Sequence, residues 1–375
     1  MQWEHLYFSI FIISGIITLI LTPAFLKIAE KTDFMDRPQG ENHKKHSRAV
    51  PLLGGAAMCS AWLLTLGLGI FFVMSRSAEG VSSELNNYAA NIINIRGRLF
   101  FLCLGALLIT LLGLFDDRFG MSPKVKLLGQ IVVSVIAVTL GGAQISVFIS
   151  LPIISWALSV FWFLVIINAI NFFDNMDGLA VGTSAIAMAL FAVVAAINQQ
   201  YFVAALGMMS AGVATGFWFF NHHPASIFMG DSGSHFLGYM LAVLSCSVTY
   251  FTKESASTPF PVLIPMFILA IPLFDSCAVV VIRLKNKKPI YIGDHNHISH
   301  RFVKMGMSRK RAVQLVHLLA LIIGLSVLPL LWGNVRTTMV VLAQAMLLLL
   351  LVSLIHYSVK GDCSTDESNV NSKKE

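Results

Sequence analysis

Between residues 6 and 357 the chain is built from apolar stretches of roughly 17 to 25 residues, the length a helix needs to cross about 30 Å of hydrocarbon. Stretches of this kind leave few folds open. In lipid every backbone N–H and C=O must be paired internally, so a spanning segment is a helix or a strand of a closed barrel. Barrel strands alternate apolar and polar residues over ~10 positions. These runs do not alternate, and they predict an all-α, polytopic membrane helix bundle. Composition agrees, with 56% hydrophobic and 12% charged residues, where a soluble domain carries about a quarter charged.

Candidate spans lie at 6–28, 50–75, 97–115, 125–142, 151–170, 179–197, 201–220, 234–251, 260–282, 313–332 and 337–357, which gives about 10–11 transmembrane helices. Glu4 precedes the first run and no small-residue cleavage site follows it, so that run is expected to be a retained span and not a signal peptide. One transmembrane domain is expected over 1–360, followed by a disordered cytoplasmic tail, "GDCSTDESNVNSKKE", over 361–375. Cys59, Cys103, Cys246, Cys277 and Cys363 are scattered singly, which fits small core residues better than a disulfide frame or a zinc site.

Lys and Arg in short loops orient such a bundle. Lys31, Arg37, Lys44, Lys45 and Arg48 follow the first span, and a second basic group from Arg283 to Arg311 precedes the tenth. Both loops are expected in the cytoplasm, with the N-terminus outside and the C-terminus inside. The net charge of +7 then reflects inner loops and calls for no nucleic acid. With this orientation five polar clusters share the inner face: residues 36–55, "FDDRFGMSPKVK" (115–126), "NFFDNMDG" (171–178), "NHHPASIFMGDSGSH" (221–235) and "YIGDHNHISHRF" (291–302).

Each cluster alone has a plainer explanation. Asp116 and Asp117 could simply end a helix among headgroups, "DSGS" could cap the eighth helix, and the basic first loop could hold anionic lipid. Together they point to one composite site. Paired carboxylates suit Mg²⁺, which takes hard oxygen ligands from one or two carboxylates plus substrate phosphates, and Lys124 and Lys126 add phosphate-binding charge. Asn171, Asp174 and Asp177 recur every three residues, near one face if helical, before a turn that Gly178 permits. An amide beside acids can bond a uracil edge, ribose hydroxyls or metal-bound water. Asp231 sits in a glycine-rich turn that opens a helix, where free N–H groups favour phosphate. His295, His297 and His300 stand beside Arg301, a set better suited to pyrophosphate than to zinc, because the other loops offer oxygen ligands.

In this order the motifs resemble the polyprenyl-phosphate N-acetylhexosamine-1-phosphate transferases, closest to the bacterial undecaprenyl-phosphate N-acetylglucosaminyl-1-phosphate transferases, over residues 33 to 305. The resemblance implies an active site on the cytoplasmic face of a bacterial inner (plasma) membrane. It implies catalytic roles for Asp116 and Asp117, Mg²⁺ (with Mn²⁺ as a substitute) at Asp117 and Asp231, and nucleotide-sugar binding by Asn171, Asp174, Asp177, His297, His300 and Arg301. It places Lys124, Lys126 and His46 on the lipid phosphate. The implied partners are a UDP-sugar, a polyprenyl phosphate and membrane lipid, with a homodimer as a candidate assembly. Two positions depart from the pattern. Relatives commonly read H-x-H-H-R where this chain has "HISHR", so Ser299 replaces a histidine, and the usual D-G-x-D-G reads "DNMDG", so Asn175 replaces a glycine.

The expected reaction transfers a HexNAc-1-phosphate, GlcNAc-1-phosphate first among them, from the UDP-sugar to undecaprenyl phosphate and releases UMP. UDP-GalNAc or UDP-MurNAc-pentapeptide are the alternative donors. A Mg²⁺ or anion transporter is the rival class, but it would place acids within spans and on both sides. Here they collect at inner ends.

Overall fold

The computed structural model describes residues 3–37, 49–78, 83–145, 151–251, 258–287 and 297–358. Helix α1 (Trp3–Lys31) is followed by a two-stranded antiparallel hairpin, β1 (Met35–Asp36) and β2 (Val50–Pro51), then α2 (Gly54–Ala78), α3 (Ser83–Phe119), α4 (Pro123–Thr139) and α5 (Pro152–Phe173). The chain continues through α6 (Leu179–Ile197), α7 (Tyr201–Asn221), α8 (Gly230–Ser247), α9 (Ile264–Ile268), α10 (Ala270–Lys285), α11 (Ile298–Lys304), α12 (Arg309–Ser326) and α13 (Val335–Ser358). The all-α bundle is as expected. The tail over 361–375 and His46 lie outside the described residues.

Among the described residues, eight helices are long and apolar enough to cross a membrane, or nine when Phe260–Ile268 and Ala270–Lys285 count as one span. That ninth span, expected at 260–282, is bent by 69°. Pro265 and Pro272 flank the break, and each removes a backbone donor from the helical ladder. The remaining two predicted spans are α4, with 17 residues, and α8, with 18. Helix α8 can be less apolar than its neighbours because α2, α3, α5, α6 and α7 pack around it, so protein and not lipid is its solvent.

Close packing around α8 depends on small residues. A methyl group at Gly55 of α2 or Gly113 of α3 would stand 2.2 Å from Gly233 N and 2.3 Å from Ser232 Cα, the small-residue approach that membrane helices use where apolar side chains gain nothing by leaving lipid. Two large polar tips inside the bundle find partners: Trp62 Nε1 donates to Ser210 Oγ at 2.9 Å and Tyr239 Oη to Leu102 O at 2.9 Å. Large apolar side chains such as Ile20, Phe71 and Leu347 face outward, as a lipid-facing surface requires.

Candidate active site

The start of α8 is the pivot of the site. Four N–H groups at a helix start lack intrahelical partners, and Asp117, in the last turn of α3, meets two of them. Its Oδ1 accepts from Asp231 N at 2.8 Å and its Oδ2 from Ser232 N at 3.1 Å. The carboxylate thus satisfies orphan donors and faces the positive end of the helix dipole. Gly230 permits this contact, with φ at +64° and only 2.5 Å between Asp117 Oδ2 and the place a Cβ would take. The hairpin docks at the same point, since Phe228 N donates to Pro51 O at 2.8 Å and Gly54 N to Phe228 O at 3.1 Å.

Beside this cap, Lys126 in the first turn of α4 gathers the other acids. Its Nζ lies 2.5 Å from Asp231 Oδ2, 3.0 Å from Asp116 Oδ2 and 3.5 Å from Asn171 Oδ1. Asp116 Oδ1 also accepts from Met121 N at 2.6 Å. Asn171, near the end of α5, donates from Nδ2 to Asp231 Oδ1 at 2.8 Å and to Ser234 Oγ at 2.9 Å. Four helices therefore meet at one polar knot. One turn deeper lies a second polar layer: Asn168 Nδ2 donates to Gln130 Oε1 at 2.7 Å, and Gln130 Nε2 lies 3.2 Å from His235 Nε2.

The turn after α5 carries the remaining acids. Burial among the surrounding helix ends pushes the Asp174 carboxyl up to about 8, and the charges of Asp231, Asp177 and Asp117 add to it. The residue is nonetheless exposed, so solvent or a cation can screen that repulsion. Asp177 holds the loop after α7, accepting from Ala225 N at 3.2 Å and pairing with His223 Nδ1 at 2.8 Å. Buried Asn221 ties the same loop to the turn, accepting from Gly178 N at 3.1 Å and donating to Ile227 O at 3.0 Å.

Helix α11 reaches the site from the far part of the sequence. Buried Asp275, in α10, accepts from Ile298 N at 2.7 Å through Oδ1 and pairs with His297 Nδ1 at 2.6 Å through Oδ2. Ser299 Oγ donates to Asn175 Oδ1 at 2.6 Å, which joins α11 to the turn that holds Asp174 and Asp177.

A profile of glycosyl transferase family 4 matches residues 99–249. A Bacillus subtilis (strain 168) protein named "Probable undecaprenyl-phosphate N-acetylglucosaminyl 1-phosphate transferase" is 34% identical over 85% of this chain and 84% of its own length. The chain belongs to glycosyl transferase family 4. It is also 29% identical, over 89% of this chain and 86% of the relative, to a Mycobacterium leprae (strain TN) protein named "Decaprenyl-phosphate N-acetylglucosaminephosphotransferase". A Halalkalibacterium halodurans protein named "Phospho-N-acetylmuramoyl-pentapeptide-transferase" is 30% identical over 64% of this chain and 75% of its own length.

Within this family member, Asp116, Asp117, Lys126, Asn171 and Asp231 form one hydrogen-bonded knot. Asp174 and Asp177 sit on the adjoining turn, and His297, His300 and Arg301 lie on or beside α11. Lys126 is committed to the acids, while Lys124 is exposed and makes no hydrogen bond with another described residue. Asp275, Asn221 and Gln130 were not singled out from the sequence. Asp275 had a readable signal, since it is the one acid within "IPLFDSCAVVVI" and an ionisable group inside a span is a functional candidate by default.

The donor set fits a hard divalent cation of one kind. Among the described residues no three acid, His or Cys side chains converge as a ready-made cage. Mg²⁺ does not need one, because it keeps water and completes its shell with substrate phosphates. Acids outnumber cations here: Asp116 and Asp231 share the ammonium of Lys126, Asp117 sits on the Asp231 amide, and Asp174 feels the charges of Asp231 and Asp117. The surplus of carboxylate oxygen suits Mg²⁺ or Mn²⁺.

Proposed function

We propose that this protein transfers a HexNAc-1-phosphate, GlcNAc-1-phosphate by preference, from a UDP-sugar to undecaprenyl phosphate and releases UMP. It would thereby begin the synthesis of a cell-surface polysaccharide. The observation that carries this reading is the convergence of Asp116, Asn171 and Asp231 on Lys126, with Asp117 bonded to the Asp231 amide beside them, at one end of a membrane bundle. Only at such a boundary can a phosphate anchored in lipid and a nucleotide from water reach the same few atoms. The choice of GlcNAc rests on the name of the 34% identical relative, which covers more of the chain than the muramoyl-pentapeptide relative does.

In the proposed step an oxygen of the lipid phosphate attacks the β-phosphorus of the UDP-sugar. The bond from that phosphorus to the bridging oxygen breaks, and UMP leaves with the oxygen and the electron pair. Phosphoryl transfer of this type asks little covalent chemistry of a protein and much positioning and charge neutralisation. Asp231, with Asp174 beside it, would hold Mg²⁺, which would supply charge neutralisation at the diphosphate. Asp117 fixes the start of α8 and so places Asp231. Lys126 balances Asp116 and Asp231 before substrates arrive, and Lys124, being exposed, is available to the lipid phosphate. The basic loops support an inner-membrane orientation with the site in the cytoplasm, the N-terminus outside and the C-terminus inside.

Release of UMP by protein purified in detergent tests the reading. UDP-GlcNAc, UDP-GalNAc and UDP-MurNAc-pentapeptide would be compared with undecaprenyl phosphate and Mg²⁺ each present or omitted. Release that needs both lipid and metal, fastest with UDP-GlcNAc, is expected. Release without lipid would make the protein a hydrolase, and no release from any donor would return transport to consideration.

A further inference from the structure

Two features of α11 have no part in the chemistry above. The first is Asp275, whose side chain is fully buried in α10 and uses both carboxylate oxygens on the start of α11. A buried carboxylate is costly unless every lone pair has a use. This one faces the imidazole Nδ1 of His297 at 2.6 Å, which keeps the proton at that nitrogen and fixes the ring's orientation. His297 Nε2 makes no hydrogen bond among the described residues, so it is the ring atom left for a ligand.

The second is the Ser299–Asn175 bond. Ser299 is fully buried, and its hydroxyl reaches across 124 positions of sequence to the turn between α5 and α6. Asn175 is itself held, with Nδ2 donating to Phe172 O at 3.4 Å. The bond thus joins α11 directly to the turn that carries Asp174 and Asp177. A short helix of 7 residues is thus pinned at two points, by α10 from behind and by the acid-bearing turn from the front.

We propose that Asp275 and the Asn175–Ser299 pair are positioning residues that lock α11, and with it the His297 ring, against the Asp174–Asp177 turn and so set the nucleotide-sugar side of the site. The proposal rests on the transferase reading. It separates the two substrates, because neither tie touches Asp116, Lys124 or Lys126, the residues on the lipid-phosphate side. The Asn175–Ser299 bond needs both partners: once either is gone, removing the other loses nothing further through that bond.

Steady-state kinetics of the full chain in detergent test this with Ser299→Ala, Asn175→Gly, the double variant and Asp275→Asn. The KM for the UDP-sugar is expected to rise about fivefold to tenfold in either pair variant and no further in the double, as for loss of one hydrogen bond. Asp275→Asn should raise it more, because a charged partner is lost. The KM for undecaprenyl phosphate should stay within about twofold. An equal rise in both KM values, or additive losses in the double variant, would overturn the proposal. If the wild type releases no UMP, the transferase reading fails, and amide hydrogen exchange over Ile298–Lys304 judges the two ties by themselves. Exchange at least tenfold faster there in Ser299→Ala and Asp275→Asn, with the other helices unchanged, supports the lock, and unchanged exchange overturns it.

Discussion

Replacing Lys126 by glutamine removes the only ammonium in the knot and leaves Asp116 and Asp231 facing one another's charge. The side chains of Lys126 and Asp116 are 17% and 11% exposed, and that of Asp231 is 33% exposed. Breaking a buried ion pair by deleting one partner costs about 3–5 kcal/mol. The exposure of Asp231 puts the expected loss at the lower end, about 3 kcal/mol. With about 2.1 cal/mol/K of unfolding entropy per residue over 375 residues, that loss lowers the thermal midpoint by about 4 °C. The assay is thermal unfolding in detergent, with and without Mg²⁺, for Lys126→Gln, Asp116→Asn and the double variant. In the Lys126→Gln background, Asp116→Asn should restore stability where alone it lowers it, and Mg²⁺ should narrow the gap to wild type. Additive losses in the double variant, or a Lys126→Gln midpoint within about 1 °C of wild type, would refute the idea that one ammonium balances these acids.

Gly230→Ala should lower stability by about 2 kcal/mol and abolish activity, because a methyl group would meet Asp117 Oδ2 at 2.5 Å on a residue whose φ is +64°; thermal unfolding and UMP release read both effects. Asn221→Ala leaves Gly178 N and Ile227 O without their side-chain partners, and a loss of about 3 kcal/mol is expected in the same unfolding assay. Asp174 has a folded-state pKa of about 8 against an ordinary 3.8, so the folded protein binds its proton more tightly than the unfolded chain. Its stability contribution is complete below about pH 4 and falls as pH rises towards about 8. Solvent exposure keeps the effect modest, and Asp174→Asn should flatten the midpoint against pH in EDTA.

Helices were legible wherever lipid is the solvent, because only length and apolarity decide there. The sequence was less informative where protein surrounds a helix. Helix α8 carries Asp231, Ser232, Ser234 and His235 in its first two turns, a profile that looks like an interface yet forms the centre of the bundle. The 69° bend at α9 and α10 was marked by two prolines, but its angle depends on packing that a linear reading does not contain. In the site, acids at helix ends were visible as acids. Their partners were not, since Lys126 and Asp231 are 105 positions apart and Ser299 and Asn175 are 124 apart. As a sequence, Asp117 resembles a metal ligand, and its hold on two α8 amides gives the second acid of the pair a part in the fold as well.

The measurement closest to the central claim uses UDP-GlcNAc labelled with ³²P at the β-phosphorus, given to the purified protein with undecaprenyl phosphate and Mg²⁺. Transfer at that phosphorus predicts that the label moves into an organic-soluble pyrophosphoryl lipid while unlabelled UMP appears in equal amount, and that Asp231→Asn stops both. Label that stays on the nucleotide as UDP, or that appears as water-soluble sugar phosphate, would contradict it.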